Sequence, residues 1–337
     1  MRWVHVSDDG FEEAWARGVR DIRGATYFYT LACRRYEAAL FAGRMIADDS
    51  FCLVTPSGET AALVPLYLFE GPQGKPVYAY GTGAEFLRAP LFLGSEGSGL
   101  FDKALDIALA RIESLARSKA VAAHRVMVEP VELLEGRHYY DFFAAYGYVP
   151  DHSVATVIDC REDPAALWAG LRKSYKPLIN REKRLVTTQV VDADNYDENL
   201  CEEYRRLHGL ASGRATRPRA SFEEMYRLIR DGQAYLVLVH EAGIAMGAYL
   251  FLSNGHYVFY GSAATDPAVA QQRGVGHLGL WTAIEAAKRR GAFFMDFGQV
   301  LLRPGGLTPK EINIDLFKRG FGGRRVTVFR SEKRFDV

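Results

Sequence analysis

The sequence predicts an α/β protein of two tandem domains, each a mixed, mostly antiparallel sheet flanked by helices. Three observations predict it. The chain has 337 residues, enough for two domains of about 150 residues each. The order of helices, hairpin, strand, helix and strand in the first half is followed by a similar order in the second. The second half also places an apolar strand, a glycine-containing loop, an amphipathic helix and another apolar strand within 256–300. That pattern belongs to a crossover joining two parallel strands.

Composition narrows the class. With 48% hydrophobic, 12% aromatic and 25% charged residues, the chain has the makeup of a globular protein with an ample core. The formal net charge of +1 argues against a surface built throughout for nucleic acid or membrane. No DNA partner is expected, and contact with RNA is left to local basic patches. MRWVHVSDDGFEEAW has acidic residues where a signal peptide needs a basic start, and no stretch has the length of a transmembrane segment. A cytoplasmic location is expected. Cys33, Cys52, Cys160 and Cys201 lack the close pairing of a zinc site, so buried reduced thiols and no metal are expected.

In order, FEEAWARGVRDI and YTLACRRYEAALF space apolar residues by three and four, which predicts helices within 11–47. Residues 51–55 and 60–69 flank Pro56-Ser57-Gly58-Glu59 and predict a hairpin. A strand at 76–80, a helix at 100–118 with a stripe including Leu105, Ala108 and Ile112, and a strand at 126–129 complete the first half. The glycine, proline and polar residues of YGYVPDHS mark a boundary, giving domains 1–150 and 151–337. The second half reads as a strand at 155–159, a helix at 164–171, a basic segment, a strand near 189–192 and helices at 196–210 and in SFEEMYRLIR. Three strands follow, joined by Glu241-Ala242-Gly243 and Ser253-Asn254-Gly255, and then the crossover unit.

In that unit the loop ends Gln271-Gln272-Arg273-Gly274-Val275-Gly276 and feeds a helix start. Unpaired N–H groups and the positive end of the helix dipole there suit an anion. The arrangement resembles the Gcn5-related N-acetyltransferases (GNAT), whose loop pattern is matched by Gln271, Gly274 and Gly276. The resemblance implies that this backbone holds the pyrophosphate of an acyl-coenzyme A. Over the second half, HGLASGRATRPRASFEEM, GHLGLWTAIEAAKRRGAFFMDFG and EINIDLFKRGFGG resemble the FemABX-type aminoacyltransferases, which carry two tandem domains of this fold. That resemblance implies an aminoacyl-tRNA donor and a peptidoglycan-precursor acceptor, other donors and acceptors being used by relatives. The first half matches only by element order and is expected to be a degenerate GNAT-like domain.

Several residues are candidates for chemistry. Gln271, Arg273, Gly274, Gly276 and His277 are the expected donor-binding set. Asp296, on an otherwise apolar strand, is either a general base of raised pKa or one half of a buried pair with an arginine. Lys318 matches the phenylalanine–lysine pair of the FemABX-like proteins, which implies a lysine that stabilises charge on the reacting acyl group. Arg172 to Arg184 puts six cations and one carboxylate into thirteen residues. Lys173 and Tyr175 in this segment are either phosphate-binding residues or part of a solvated helix flank. Arg214 and Arg217 lie in a loop too poor in apolar residues for a core and suit carboxylate or phosphate groups. Tyr260 either lines an acceptor cleft or packs. The basic tail, with Arg324, Arg325, Arg330, Lys333 and Arg334, is either a solvated terminus or a nucleic-acid contact.

The reading is an acyltransferase in which a primary amine attacks an activated carbonyl, with Asp296 and Lys318 as catalytic residues and no tightly bound cofactor. Its leading form moves an aminoacyl group from aminoacyl-tRNA to a cell-envelope precursor or related small amine. The alternatives are an acyl-CoA-dependent N-acetyltransferase for an amino sugar or amino compound, and a non-catalytic protein that binds RNA or a glycan precursor. Oligomeric state is not legible in the sequence.

Overall fold

The structure, a computed structural model, describes residues 1–81, 83, 85–130, 142–270, 273–300 and 307–336. The first half contains β1 (Arg2–His5), α1 (Phe11–Asp21), α2 (Leu31–Leu40), β2 (Met45–Asp48), β3 (Phe51–Val54), β4 (Thr60–Val64), β5 (Tyr67–Glu70), β6 (Pro76–Tyr78), β7 (Leu87–Arg88), β8 (Leu91–Phe92), α3 (Gly99–Ser118) and β9 (Ala123–Met127). Then follow β10 (Val149–Asp159), α4 (Pro164–Gly170), α5 (Tyr175–Glu182), β11 (Thr187–Val191), α6 (Glu198–Ser212), α7 (Arg219–Arg230), β12 (Ala234–Glu241), β13 (Ile244–Asn254) and β14 (Tyr257–Thr265). The chain closes with α8 (Pro267–Ala270), α9 (Val275–Arg289), β15 (Phe294–Val300), α10 (Pro309–Arg319) and β16 (Arg324–Arg334). Two compact units result, Met1–Ser153 with Thr327–Val337, and Val154–Val326.

In the first unit β1, β3, β4 and β8 form an antiparallel sheet. β2, β5, β6 and β9 form a second set, antiparallel except for β6 and β9. The expected hairpin is present between β3 and β4, with the Thr55 N–H donating to the Glu59 carbonyl at 2.9 Å. Its second arm is shorter than the apolar run 60–69. Pro65 has no N–H to give a ladder, and from Tyr67 the chain pairs with β2 and β6 instead. α3 starts where the Ser98 hydroxyl accepts the Phe101 N–H, and it buries Phe101, Ala104, Leu105, Ala108, Leu109, Ile112 and Ala116. Those positions recur every three to four residues along one face, and burying a side chain such as Ile112 contributes about 1.5–3 kcal/mol.

The tail forms β16, and it divides between the units. From Thr327 it belongs to the first unit, because Arg330 to Arg334 pair antiparallel with β9, whereas the division at 150/151 assigns it to the second half. Its cations meet carboxylates within each unit. Arg330, 5% exposed, pairs with Asp151, Lys333 with Glu113 at 3.5 Å, Arg324 with Asp159 at 3.7 Å, and Arg325 with Asp315.

The second unit has one sheet in the order β11, β12, β13, β14, β15, β10, antiparallel except between β14 and β15. Its core helix is α9, buried on most of its circumference from Val275 to Ala287 because the sheet covers one side and α5 packs on another. Gly279 permits the close approach. A Cβ there would stand 2.2 Å from the Tyr249 ring, inside any tolerable contact, so only glycine lets α9 lie this near β13. All four cysteines are free and buried. No helix among the described residues is long and apolar enough to cross a membrane.

Candidate active site

The crossover predicted around the glycine loop is present, and its geometry makes a fork. β14 and β15 pair in parallel at Tyr257 with Phe294, Val258 with Met295 and Phe259 with Asp296, and there the pairing ends. Two irregularities accompany the parting. The β13–β14 register shifts between Leu250 and Phe251, leaving Gly261 unmatched, and the β10–β15 register shifts between Ala155 and Val157. The second bulge contains Gly298, whose φ of +79° suits glycine.

Asp296 stands where the strands separate. It is 2% exposed, its Oδ2 accepts the Tyr257 hydroxyl at 2.6 Å, and its Oδ1 accepts the Gly298 N–H at 2.7 Å. Of the two readings from sequence, the general base is the less compatible with this position, since both oxygens are engaged and enclosed. The alternative partner was an arginine. Its partners among the described residues include a tyrosine, a backbone amide and the field of Lys318.

Lys318 enters the fork from α10. That helix begins with a capping box in which Thr308 accepts the Glu311 N–H and Glu311 accepts the Thr308 N–H, with Pro309 in its first turn. The half-buried Lys318 sets its Nζ 5.9 Å from the centroid of the Tyr260 ring on β14. The same atom would lie 3.5 Å from a Cβ at Gly298 on β15, in ordinary contact, so the ammonium stands directly over the bulge. Burial pulls the Lys318 pKa down, while the charges of Asp296 and Asp315 oppose the shift. Tyr260 is half-buried and stacked on Phe251 at 5.4 Å, and its hydroxyl pKa is raised chiefly by burial. It therefore both packs and flanks Lys318.

Part of the glycine loop, Arg273 and Gly274, is engaged by the chain itself. Glu182, at the end of α5 and 0% exposed, accepts the Gly274 N–H at 3.1 Å and the Arg273 guanidinium at 2.7 Å. Arg273 also bonds Glu241 at 2.9 Å, and Arg181 reaches Glu182 at 3.0 Å. Burial would raise the Glu182 pKa, but Arg273, the Gly274 N–H and Arg181 outweigh it and hold the group below the usual carboxylate range. The side chain stays ionised. Gln271 lies outside the described residues. Gly276 follows in the first turn of α9, where an added Cβ would meet Phe317 and the Tyr249 hydroxyl at 3.6 Å.

Two of the expected ligand-binding side chains make ring contacts beside α10. His277 has its ring edge-on to Tyr175 at 4.3 Å and near Phe317 at 5.1 Å. Its pKa is lowered to about 4, first by burial and then by Arg172, so it is neutral at physiological pH. Tyr175, 5% exposed, donates its hydroxyl to the Phe317 carbonyl at 3.1 Å, and its ring fills the space over Gly320. The structure thus gives Tyr175 the task of closing the end of α10, because its helix packs against α9. Lys173 is exposed at the start of the same segment. Arg214 is exposed and Arg217 half-buried between α6 and α7, with an Arg217 nitrogen 4.0 Å from the Met225 sulfur.

Sequence reasoning missed Glu182 as a site residue. Its signal was present as the lone carboxylate among six cations, a residue with reason to be buried and paired. Phe259 was missed as well; the structure puts its ring beside Gly298 and thus beside Lys318.

Residues 167–304 match the family model of the acetyltransferase (GNAT) domain. No curated protein sequence matches the chain. Among solved structures, FemX superposes with a TM-score of 0.68 at 14% identity, covering 99% of this chain and 98% of that one. The C-terminal domain of a putative lysylphosphatidylglycerol synthetase from Agrobacterium fabrum gives 0.60 at 11% identity, covering 96% and 91%. L-PGS from Bacillus licheniformis gives 0.56 at 10% identity, covering 95% and 90%. At these identities the likeness is one of fold, and it extends over both units. Residues 167–304 thus match a GNAT acetyltransferase domain, with the parted parallel strands and the glycine loop at a helix start inside that stretch, and the chain shares its overall fold with FemX.

Proposed function

We propose that the second unit transfers an acyl group onto a primary amine in the fork between β14 and β15. The observation that carries this reading is the Lys318 ammonium, held between Tyr260 and Gly298 where the two strands stop pairing. A carbonyl lying in the fork would present its oxygen to that ammonium. As the amine adds to the carbonyl carbon, negative charge grows on the oxygen, and a fixed cation in a partly dehydrated site stabilises it. Collapse of the intermediate breaks the bond to the donor's oxygen or sulfur. The leaving atom takes up a proton and the amine nitrogen loses one, so charge balances without a covalent enzyme intermediate.

Asp296 acts in this scheme as a positioning residue. Its carboxylate favours the charged form of Lys318, and its bond to the Gly298 N–H shapes the bulge that leaves room for the ammonium. The leading donor is an aminoacyl-tRNA, supported by the shared fold with FemX and with a lysylphosphatidylglycerol synthetase domain, and by the exposed cations Lys173, Lys183 and Arg184. The acyl-CoA reading draws on the match of 167–304 to an acetyltransferase domain. Incubating the protein with charged tRNA or acetyl-CoA and a panel of primary amines, followed by mass spectrometry, tests the proposal. A new amide whose formation requires Lys318 supports it, and no amide from either donor defeats it.

A further inference from the structure

We infer that the open edge of β11 is an interface between two copies of this chain, paired antiparallel about a two-fold axis at Gln189. The inference is independent of the acyl-transfer reading, since it rests on the edge of the second unit's sheet and not on the fork.

Among the described residues β11 has one strand neighbour, β12, and the register runs unbroken from Thr187 opposite His240 to Val191 opposite Leu236. The Ser253 N–H donates to the Gln233 carbonyl at 2.8 Å, so Gln233, Tyr235 and Val237 turn their backbone groups toward β13. That direction alternates along a strand, so Leu236 and Leu238 face β11 and hold Val191 and Gln189. Thr188 and Val190 therefore point their N–H and C=O groups outward. Of these four groups, only the Val190 carbonyl has a partner among the described residues, the Asn195 side-chain amide at 2.8 Å. A carbonyl oxygen has two lone pairs, so it can accept a second bond.

Natural proteins ordinarily blunt an open edge with charge, proline or a bulge. The run 185–191, Leu-Val-Thr-Thr-Gln-Val-Val, has none of these, and its threonines and valines suit a strand. Leu185 is 53% exposed, and Thr187, Thr188 and Gln189 are exposed as well. Charge selects the partner and its direction. Lys183 and Arg184 precede the run, and Asp192 and Asp194 follow it. Asp192 is held by Arg290 at 2.6 Å, while the side chains of Arg184 and Asp194 are exposed and pair with no described residue. A parallel partner would set like charges side by side. An antiparallel copy centred on Gln189 sets Thr188 opposite Val190 of the second copy, each giving the other an N–H and a carbonyl, and sets Arg184 opposite Asp194. The order of base, uncharged strand and acid complements itself, as an isologous contact requires.

The test is sedimentation velocity on the full chain across the micromolar range, in wild type, Thr188→Pro, Arg184→Asp and Arg184→Asp/Asp194→Arg, with circular dichroism to check folding. Wild type is expected to form a dimer. Thr188→Pro removes an outward N–H while leaving the ladder to β12 intact, and is expected to be monomeric. Arg184→Asp puts like charges together at both ends of the paired strands and should weaken the dimer by about tenfold or more, and the double variant should restore it. A wild type that stays monomeric overturns the inference, as does assembly beyond a dimer, a dimer unaffected by Thr188→Pro, or a charge swap that restores nothing. Where Thr188→Pro misfolds, the two charge variants decide alone.

Discussion

Tyr257 on β14 donates its hydroxyl to Asp296 on β15 at 2.6 Å, one residue before the two parallel strands part. The bond ties the fork at its base, and the carboxylate it fixes is one of two whose charge acts on Lys318. Burial depresses the Lys318 pKa, and Asp296 opposes the depression. Asp296→Asn should therefore lower that pKa further, so the lysine loses its proton at lower pH. The alkaline limb of kcat/KM against pH should move to lower pH in the variant. An unmoved limb would separate Asp296 from the working state of Lys318.

Replacing Lys318 by methionine keeps the length of the side chain and removes its charge. If the ammonium stabilises the developing oxyanion, kcat should fall roughly 100- to 1,000-fold, with the thermal transition little changed. Lys318→Arg should recover part of the loss, since the charge returns with a wider head group. Steady-state kinetics beside circular dichroism check both outcomes, and a variant of full activity would leave the fork without its electrostatic element.

Gly279→Ala is a stability prediction for the second unit. Its methyl would overlap the Tyr249 ring at 2.2 Å, and an overpacked core of this kind loses about 1–3 kcal/mol. Chemical denaturation should show a lower midpoint. Tyr249→Leu in the same chain should relieve part of the overlap, while an additive loss in the double variant would mean that the two residues do not meet.

The first unit contains a carboxyl group that titrates near neutrality. Glu37 is 4% exposed, and burial raises its pKa to about 7 despite opposing bonds from Tyr67 and Cys33 and the charges of Arg88 and Arg34. With the folded pKa above the unfolded one, the unfolded chain releases this proton first. The group's contribution to stability is then complete below about pH 4.5 and is lost as pH rises through about 7, a change of roughly 3 kcal/mol. Glu37→Gln should flatten that part of the stability profile of the first unit. An unchanged slope in urea titrations between those pH values would contradict the assignment.

Much of the architecture was legible in the sequence because it depends on local regularities. The stripe of α3, the turn between β3 and β4, and the strand–glycine loop–helix–strand order each follow from spacing and turn chemistry within a few tens of residues. The misreadings arose where a local signal met a distant partner. The run 60–69 reads as one strand, yet Pro65 lets it serve two strand sets. The basic tail reads as a solvated terminus or a nucleic-acid contact, and the pairing of Arg330 with a carboxylate 179 residues away is not legible in either reading. The sequence by itself determined the α/β class, the tandem element order, the crossover and Lys318 as a candidate. Only the tertiary structure decided what meets the Gly274 N–H of the glycine loop. Gly274 and Glu182 are 92 residues apart, so no periodicity links them. The meeting of α5 with α9 brings a carboxylate to the N–H that the motif, read alone, leaves open for phosphate.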